Sequence, residues 1–452
     1  MDNLRLIRYR YLDDHPIVEF TCMAYRVLTP DMVLLVKGPM KVEVQNEASI
    51  LGKDVSNSKI ICSEGKVWPI ETESGCEVFL SYLEGRQNIL GEFWIHTRQE
   101  AGTKIWEDII SSVFRGAGVN SKSILLLGPT DSGKTTLSTY IINQAIKREL
   151  RPAIIDADIG QGDLAPPSTI GFAAIENQIL DLREVKGKHF RFVGSTNPTR
   201  NERLISRSVE SLIREINREN SDFRGIDLVV VNTDGYVAGE GLYCKIAIAN
   251  AAQPDTVICL GENAPDFCKQ LRSRIQSGKL PLILSPTAKL ALSYRPIVKL
   301  RSERERRRIE QFQRYMTSCG KEIGTKSFSL RKLRFVYKGL IYHRAFFKVG
   351  DHITFLRKNR ARIIANAALA NMFVGLGRAS TVIGFGIISS IKKQEITIHT
   401  NFADIDTIHL SNIGINIQTW KQYKIKNNRK TKTHRFSNAG SVEAESIKRT
   451  HE

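Results

Sequence analysis

The sequence predicts an α/β fold: a central parallel-sheet domain over residues 116–320, flanked by a small β-rich domain over 1–115 and another β-rich domain over 321–420, followed by a basic tail over 421–452. Three observations point there. Between residues 121 and 316, short apolar runs (SILLLG, RPAIIDAD, HFRFVG, GIDLVVVNTDG, DTVICLG and LPLILSP) alternate with longer stretches of helix length, the pattern of strands buried on both faces and joined by crossover helices. On either side the runs shorten and are separated by Gly, Pro and Asn, with the period-two alternation of KVEVQ as the clearest strand signal. A chain of 452 residues is also long enough for two or three domains, each with its own core.

In chain order, the amino-terminal stretch MDNLRLIRYRYLDD lacks the apolar run of a signal peptide, so a cytoplasmic location is expected. DMVLLVKGPMKVEVQNEASILG, CEVFLSYL and GEFWIHT supply the first β domain, which precedes the nucleotide loop and contributes none of it. KTTLSTYIINQAIKREL, RNERLISRSVESLIREINREN and GLYCKIAIANAAQ are the crossover helices of the central domain. STVIGFGIISSI, QEITIHTNF and IDTIHLSNIGINI are strands of the third region. ARIIANAALANMFVGLG is the most apolar long run, but Arg and Asn interrupt it and it is too short to span a bilayer, so no membrane partner is expected. The tail from Lys421 is basic and poor in apolar residues and is expected to be disordered.

Composition narrows the class of partner. With 42% hydrophobic and 25% charged residues the chain reads as a soluble globular protein. The net charge is +19, yet residues 1–120 carry 13 Lys and Arg against 17 Asp and Glu. The basic excess therefore belongs to the remainder, which favours a polyanionic partner such as nucleic acid. Seven cysteines, Cys22, Cys62, Cys76, Cys244, Cys259, Cys268 and Cys319, form no close CxxC pair. That spacing argues against a disulfide scaffold or a zinc site and for a reducing compartment.

The sharpest motif is GPTDSGKT, which satisfies G-x-x-x-x-G-K-[ST] with an apolar strand before it and a helix after it. Gly128, Pro129, Thr130, Asp131, Ser132, Gly133, Lys134, Thr135 and Thr136 are read as a cradle for ATP or GTP. The glycines let backbone N–H groups turn toward phosphate oxygens at a helix amino terminus. Lys134 is expected to reach the β and γ phosphates, and Thr135 to place its hydroxyl on Mg²⁺. This is a P-loop NTPase-type domain.

Further polar residues gather at the ends of the later strands. DADIGQGD offers Asp156 and Asp158, which point the same way on a continuing strand and suit magnesium or an incoming nucleophile; the plainer reading makes one of them a strand-end cap. Gln161 adds a donor and an acceptor. The turn STNPTRN, with Thr196, Pro198 and Asn201, either holds substrate or caps the helix starting near Glu202. Tyr236 in NTDGYVAGEG is placed for base stacking or for local packing. In RSERERRRIEQF, Arg301, Arg304 and Arg308 share a helix face that either closes over phosphates or is solvated alongside Glu303, Glu305 and Glu310.

Taken in order, GPTDSGKT, DADIGQGD, STNPTRN, NTDGYVAGEG and RSERERRRIEQF resemble the polynucleotide 5'-hydroxyl kinase family, whose eukaryotic members work in tRNA splicing, mRNA 3'-end processing and ribosomal RNA processing and which has archaeal relatives. The resemblance covers about residues 10–415. It implies ATP- and Mg²⁺-dependent transfer of the γ-phosphoryl group to a 5'-hydroxyl end of RNA, or also of DNA, in the company of RNA-processing proteins. It assigns Asp158 to orienting or deprotonating the 5'-hydroxyl and Asp156, with Thr135, to the magnesium shell, or the two carboxylates reversed. Thr196, Pro198 and Asn201 match the substrate clasp, and Gln161 falls where a substrate-phosphate contact is expected. Arg304 and Arg308 match the lid, with Arg301 or Arg307 as the alternative register. Tyr236 stands where relatives commonly carry Trp, which reduces the stacking area. Two other classes remain open on residues alone: a nucleotide-binding scaffold with little turnover, and an ATPase or GTPase.

Overall fold

The structure is a computed structural model that describes residues 22–82, 91–115, 118–119, 122–217, 225–261, 264–274, 282–284, 298–317, 323–348, 352–357, 360–365, 368–378, 381–392 and 394–425. The amino-terminal stretch and the tail from residue 426 lie outside them. The chain forms two compact units: 1–165 with 170–188 and 198–307, and 166–169 with 189–197 and 308–452.

In the first unit, the α/β part is a mixed sheet in the order Leu282–Leu284, Thr256–Cys259, Ser123–Leu127, Leu228–Thr233, Pro152–Ala157, Thr169–Ala174. The first five strands are parallel. The last pairs antiparallel with Pro152–Ala157, so the sheet is not wholly parallel as the apolar runs suggested. Apolar runs of this length signal burial on both faces, which an antiparallel neighbour satisfies equally well. Ile124, Leu125, Leu126 and Leu127 are fully buried, each worth about 1.5–3 kcal/mol relative to exposure. Helices Lys134–Ile146 and Glu240–Ala252 follow two of these strands as crossovers, and Glu202–Ile216 leads into Leu228–Thr233. The first strand in sequence, Ser123–Leu127, lies between Leu228–Thr233 and Thr256–Cys259. The connection from it runs to Pro152–Ala157 on one side and that from Leu228–Thr233 runs to Thr256–Cys259 on the other, opening a crevice at the carboxyl ends of these two strands.

The β-rich beginning of the chain belongs to the same unit. It makes a four-stranded sheet (Cys22–Leu28, Cys76–Ser81, Met40–Asn46, Lys59–Cys62) and a five-stranded one (Lys53–Asp54, Ser49–Ile50, Val67–Glu71, Met32–Lys37, Glu92–Thr97). Its Leu34, Val42, Ile50 and Val78 share one apolar cluster with Leu137, Ile141 and Ile154 of the α/β part. Buried Asn143, on the helix after the phosphate loop, donates to Leu51 O (2.9 Å) and Ile179 O (2.7 Å).

The second unit is β-rich. Its main sheet runs His189–Phe192, Thr381–Lys392, Met372–Arg378, Thr407–Ile415, Arg334–Tyr337, Leu340–Tyr342. HFRFVG thus lies antiparallel to Thr381–Lys392, with Phe190 opposite Val382, and is not one of the parallel strands. Its alternating burial explains the difference: Phe190 packs edge-on to Phe385, and Phe192 packs against Phe373. The segment from Ala361 is split between strands Arg360–Ala365 and Met372–Arg378, and among the described residues no helix is long and apolar enough to cross a membrane. The tail starts later than residue 421, because Gln422–Lys424 pairs with Thr407–Ile415.

Candidate active site

The phosphate loop leaves the central strand at Gly128 and enters helix Lys134–Ile146 at Gly133, both with positive φ (154° and 87°), a conformation glycine adopts without Cβ strain. Gly235 lies so close to the loop that a Cβ there would overlap Thr130. Lys134 folds back along the loop, donating from Nζ to Gly128 O (2.9 Å) and Pro129 O (2.6 Å). Burial lowers its ammonium pKa to about 8, and the Asp158 carboxylate pulls in the opposite direction.

Strand register sets the next layer. Asn232 is level with both Leu126 and Asp156. Its Nδ2 donates to Asp156 Oδ1 (3.2 Å) and to Thr135 Oγ1 (3.4 Å). Asp156 is buried and also accepts from the N–H groups of Asp163 (2.6 Å), Asp158 (3.3 Å) and Leu164 (3.4 Å). Burial first, then the Asp163 and Asp158 carboxylates, push its carboxyl up to about 7 against those donors. Asp158 shapes the following turn, Oδ1 accepting from Gly160 N–H (2.9 Å) and Gln161 N–H (2.8 Å). Burial and then the Asp234 charge raise its pKa, while Lys134 acts to lower it. The two carboxylates thus have different company: Asp156 is joined to Thr135 through Asn232, and Asp158 faces the field of Lys134.

The helix Arg301–Met316 begins in the first unit and brings its arginines to these loops. Arg304 Nη2 donates to Asp131 Oδ2 (2.5 Å), and Arg304 O accepts from Gln161 Nε2 (3.4 Å). Arg307 Nη2 meets Asp163 Oδ1 at 2.8 Å, both side chains buried. Burial alone would raise the Asp163 carboxyl, but Arg307 and then Lys66 hold it below its ordinary value. Arg306 pairs with Glu64 of the β-rich beginning. Arg308 falls in the second unit. Arg304 and Arg307 thus face carboxylates of the phosphate loop and of the loop after Asp158, at Asp131 and Asp163.

The clasp residues divide between units: Thr196 belongs to the second, Pro198 and Asn201 to the first. Asn201 occupies the N-cap of Glu202–Ile216, but its side chain makes no cap hydrogen bond there. Its N–H donates to Pro198 O (2.9 Å). Tyr236 is half-buried, and its N–H donates to Asp234 Oδ1 (2.7 Å). The other Asp234 oxygen lies 2.8 Å from Lys245 Nζ, and the Lys245 side chain is fully buried. Sequence reasoning passed over Lys245, Asn232, Asp163 and the side-chain role of Asp131. Two had a signal: a lone Lys in GLYCKIAIANAA, and a lone Asn ending VVVN. Replacing Lys245 with Met leaves the Asp234 carboxylate unpaired and is expected to cost about 3–5 kcal/mol of stability. Urea denaturation checks this, and adding Asp234→Asn is expected to restore part of the loss.

Among the described residues no group of three or more His, Cys, Asp or Glu could hold a metal ion. Magnesium in such sites takes one or two protein oxygens, its remaining ligands being phosphates and water. Thr135 Oγ1 and the Asp156 carboxylate, joined through Asn232 Nδ2, are hard oxygens that fit it. The cysteine spacing favoured a reducing compartment, yet Cys259 and Cys268 are bonded to each other, linking the strand beside the phosphate-loop strand to helix Ala264–Arg272.

This is the site of a P-loop protein built for phosphoryl transfer. The family model described as "mRNA cleavage and polyadenylation factor CLP1 P-loop" matches residues 128–318, which contain every loop described above. The polyribonucleotide 5'-hydroxyl-kinase of Pyrococcus furiosus is 27% identical over 326 residues, 64% of this chain and 86% of that protein. Clp1 of Xenopus tropicalis, also called a polyribonucleotide 5'-hydroxyl-kinase, is 32% identical over 258 residues, 54% of this chain and 57% of its own. Two solved Clp1p–Pcf11p structures match with TM-scores of 0.60 and 0.59 at 13% and 14% identity, covering 86% of this chain and 98% and 97% of theirs. That likeness concerns the fold: a mixed-sheet P-loop domain with β-rich segments before and after it in the chain. Over the matched residues the chain is similar to polyribonucleotide 5'-hydroxyl-kinases, and that homology supports phosphotransferase activity.

Proposed function

We propose that this protein transfers the γ-phosphoryl group of ATP to the 5'-hydroxyl end of RNA, with DNA ends as a second acceptor. The observation that carries the reading is the convergence, within one unit, of Lys134, the Asp156–Asp158 loop and Arg304 on the phosphate loop. The names of its relatives agree with it. Lys134 and Arg304 offset the charge of the transferring group, while Asp158 orients the attacking hydroxyl and takes its proton. Magnesium bound through Thr135 and Asp156 would neutralise phosphate charge. Pro198, Asn201, Gln161 and Tyr236 hold the acceptor end. Because the related Clp1p is solved with Pcf11p, an RNA-processing protein is the expected class of partner.

Incubation with γ-labelled ATP and 5'-hydroxyl oligoribonucleotides or oligodeoxyribonucleotides tests this directly. Label on the 5' end is expected; free phosphate made without oligonucleotide would point to a hydrolase, and no turnover to a scaffold. A pH profile adds a second check. Asp156, raised to about 7, must lose its proton to serve a cation, and Lys134, lowered to about 8, must keep its own. kcat/KM for ATP, which reports the free enzyme, is therefore expected to rise through about pH 7 and fall above about pH 8. A flat profile across that range counts against both roles.

A further inference from the structure

The loop shaped for a polyanion carries a carboxylate of its own. Asp131 has a left-handed backbone (φ 60°), and its side chain is 7% exposed. Its Oδ2 accepts from Arg304 Nη2 at 2.5 Å and from the Lys299 backbone N–H at 3.1 Å, and Lys299 Nζ lies 3.8 Å from Oδ1. All three contacts come from the turn that opens the arginine-rich helix. Within that turn Leu300 N–H donates to Glu303 Oε2 (2.6 Å) and Arg304 N–H to Leu300 O (3.1 Å), so residues 299–304 form one hydrogen-bonded piece. Gln161, from the Asp158 turn, holds the same piece through Arg304 O. A carboxylate here would repel phosphates unless positive groups neutralised it, and Arg304 and Lys299 are placed to do so.

We propose that Asp131 is a lid-positioning residue: its side chain holds residues 299–304 on the phosphate loop and so places the Arg304 guanidinium over it. The proposal rests on the phosphoryl-transfer reading above and adds to it a coupling between the nucleotide loop and the lid. Gln161 grips the turn from the acceptor side and Asp131 from the donor side, so lid placement depends on both loops.

Asp131→Asn and Asp131→Gly test it on the full chain, since both residues accept a left-handed backbone and neither strains the loop. The first readout needs no activity: trypsin cleavage after Arg301 and Arg304, followed by mass spectrometry, is expected to speed up about tenfold in both variants. The second is kinetic. kcat is expected to fall roughly 10- to 100-fold with the oligonucleotide KM unchanged, and the Asp131→Asn/Arg304→Met double variant should be no slower than Arg304→Met alone. Unchanged cleavage overturns the proposal, as does an ATP KM that falls while kcat holds, which would mark the carboxylate as merely repulsive. Fully additive losses overturn it too. A wild-type chain that transfers nothing would sink the kinase reading, while the cleavage rates would still decide the role of Asp131.

Discussion

Lys134→Ala is expected to lower kcat/KM for 5'-end phosphorylation on the order of 10³-fold, about 4 kcal/mol of transition-state stabilisation, while the chain stays folded. Lys134 Nζ is held by carbonyls of its own loop, Gly128 O and Pro129 O, which places an ammonium where phosphate oxygens would replace them. Its loss removes a preorganised charge from a water-poor site, where such a charge is worth most. The structural penalty is smaller: the two carbonyls lose one shared donor, at about 1 kcal/mol for a typical hydrogen bond. Initial rates with circular dichroism on the purified variant check both parts. Near-normal transfer by a folded Lys134→Ala protein would remove the loop from the mechanism.

Asp158→Asn is expected to reduce kcat roughly 10²- to 10³-fold, the range for loss of a positioned general base, again with a native fold. Asn retains an oxygen to accept from Gly160 and Gln161 N–H, so the turn should survive. What disappears is the ability to take a proton. Asp156→Asn is the informative contrast. Every hydrogen bond to Asp156 described above comes from a donor: three backbone N–H groups and Asn232 Nδ2. An amide NH₂ there would face donors, so this variant should lose stability as well as activity and require more magnesium. Thermal denaturation and a magnesium titration of both variants separate the roles. If Asp158→Asn were the unstable one and Asp156→Asn merely slow, the two assignments would be exchanged.

Much of the site could be read from the chain because its parts are local. A phosphate loop needs a strand before it, glycines within it and a helix after it, and all three lie between Ser123 and Ile146. The Asp158 turn is likewise local, its bonds spanning two or three residues. The strand HFRF is antiparallel where a parallel strand was expected, because an apolar run records burial and not strand direction. The lid register stayed open between neighbouring arginines because consecutive positions in an Arg-rich helix look alike until a partner selects one.

By itself, then, the sequence determined the α/β class, the triphosphate cradle and the two carboxylates beyond it, since periodicity and turn chemistry act over a few residues. Tertiary structure alone decided what each charge faces. Asn232 reaches Asp156 across 76 residues through strand register, Arg307 reaches Asp163 across 144, and Arg304 reaches Asp131 across 173. Such pairings are set by how strands order and where a helix docks, and no local pattern encodes them.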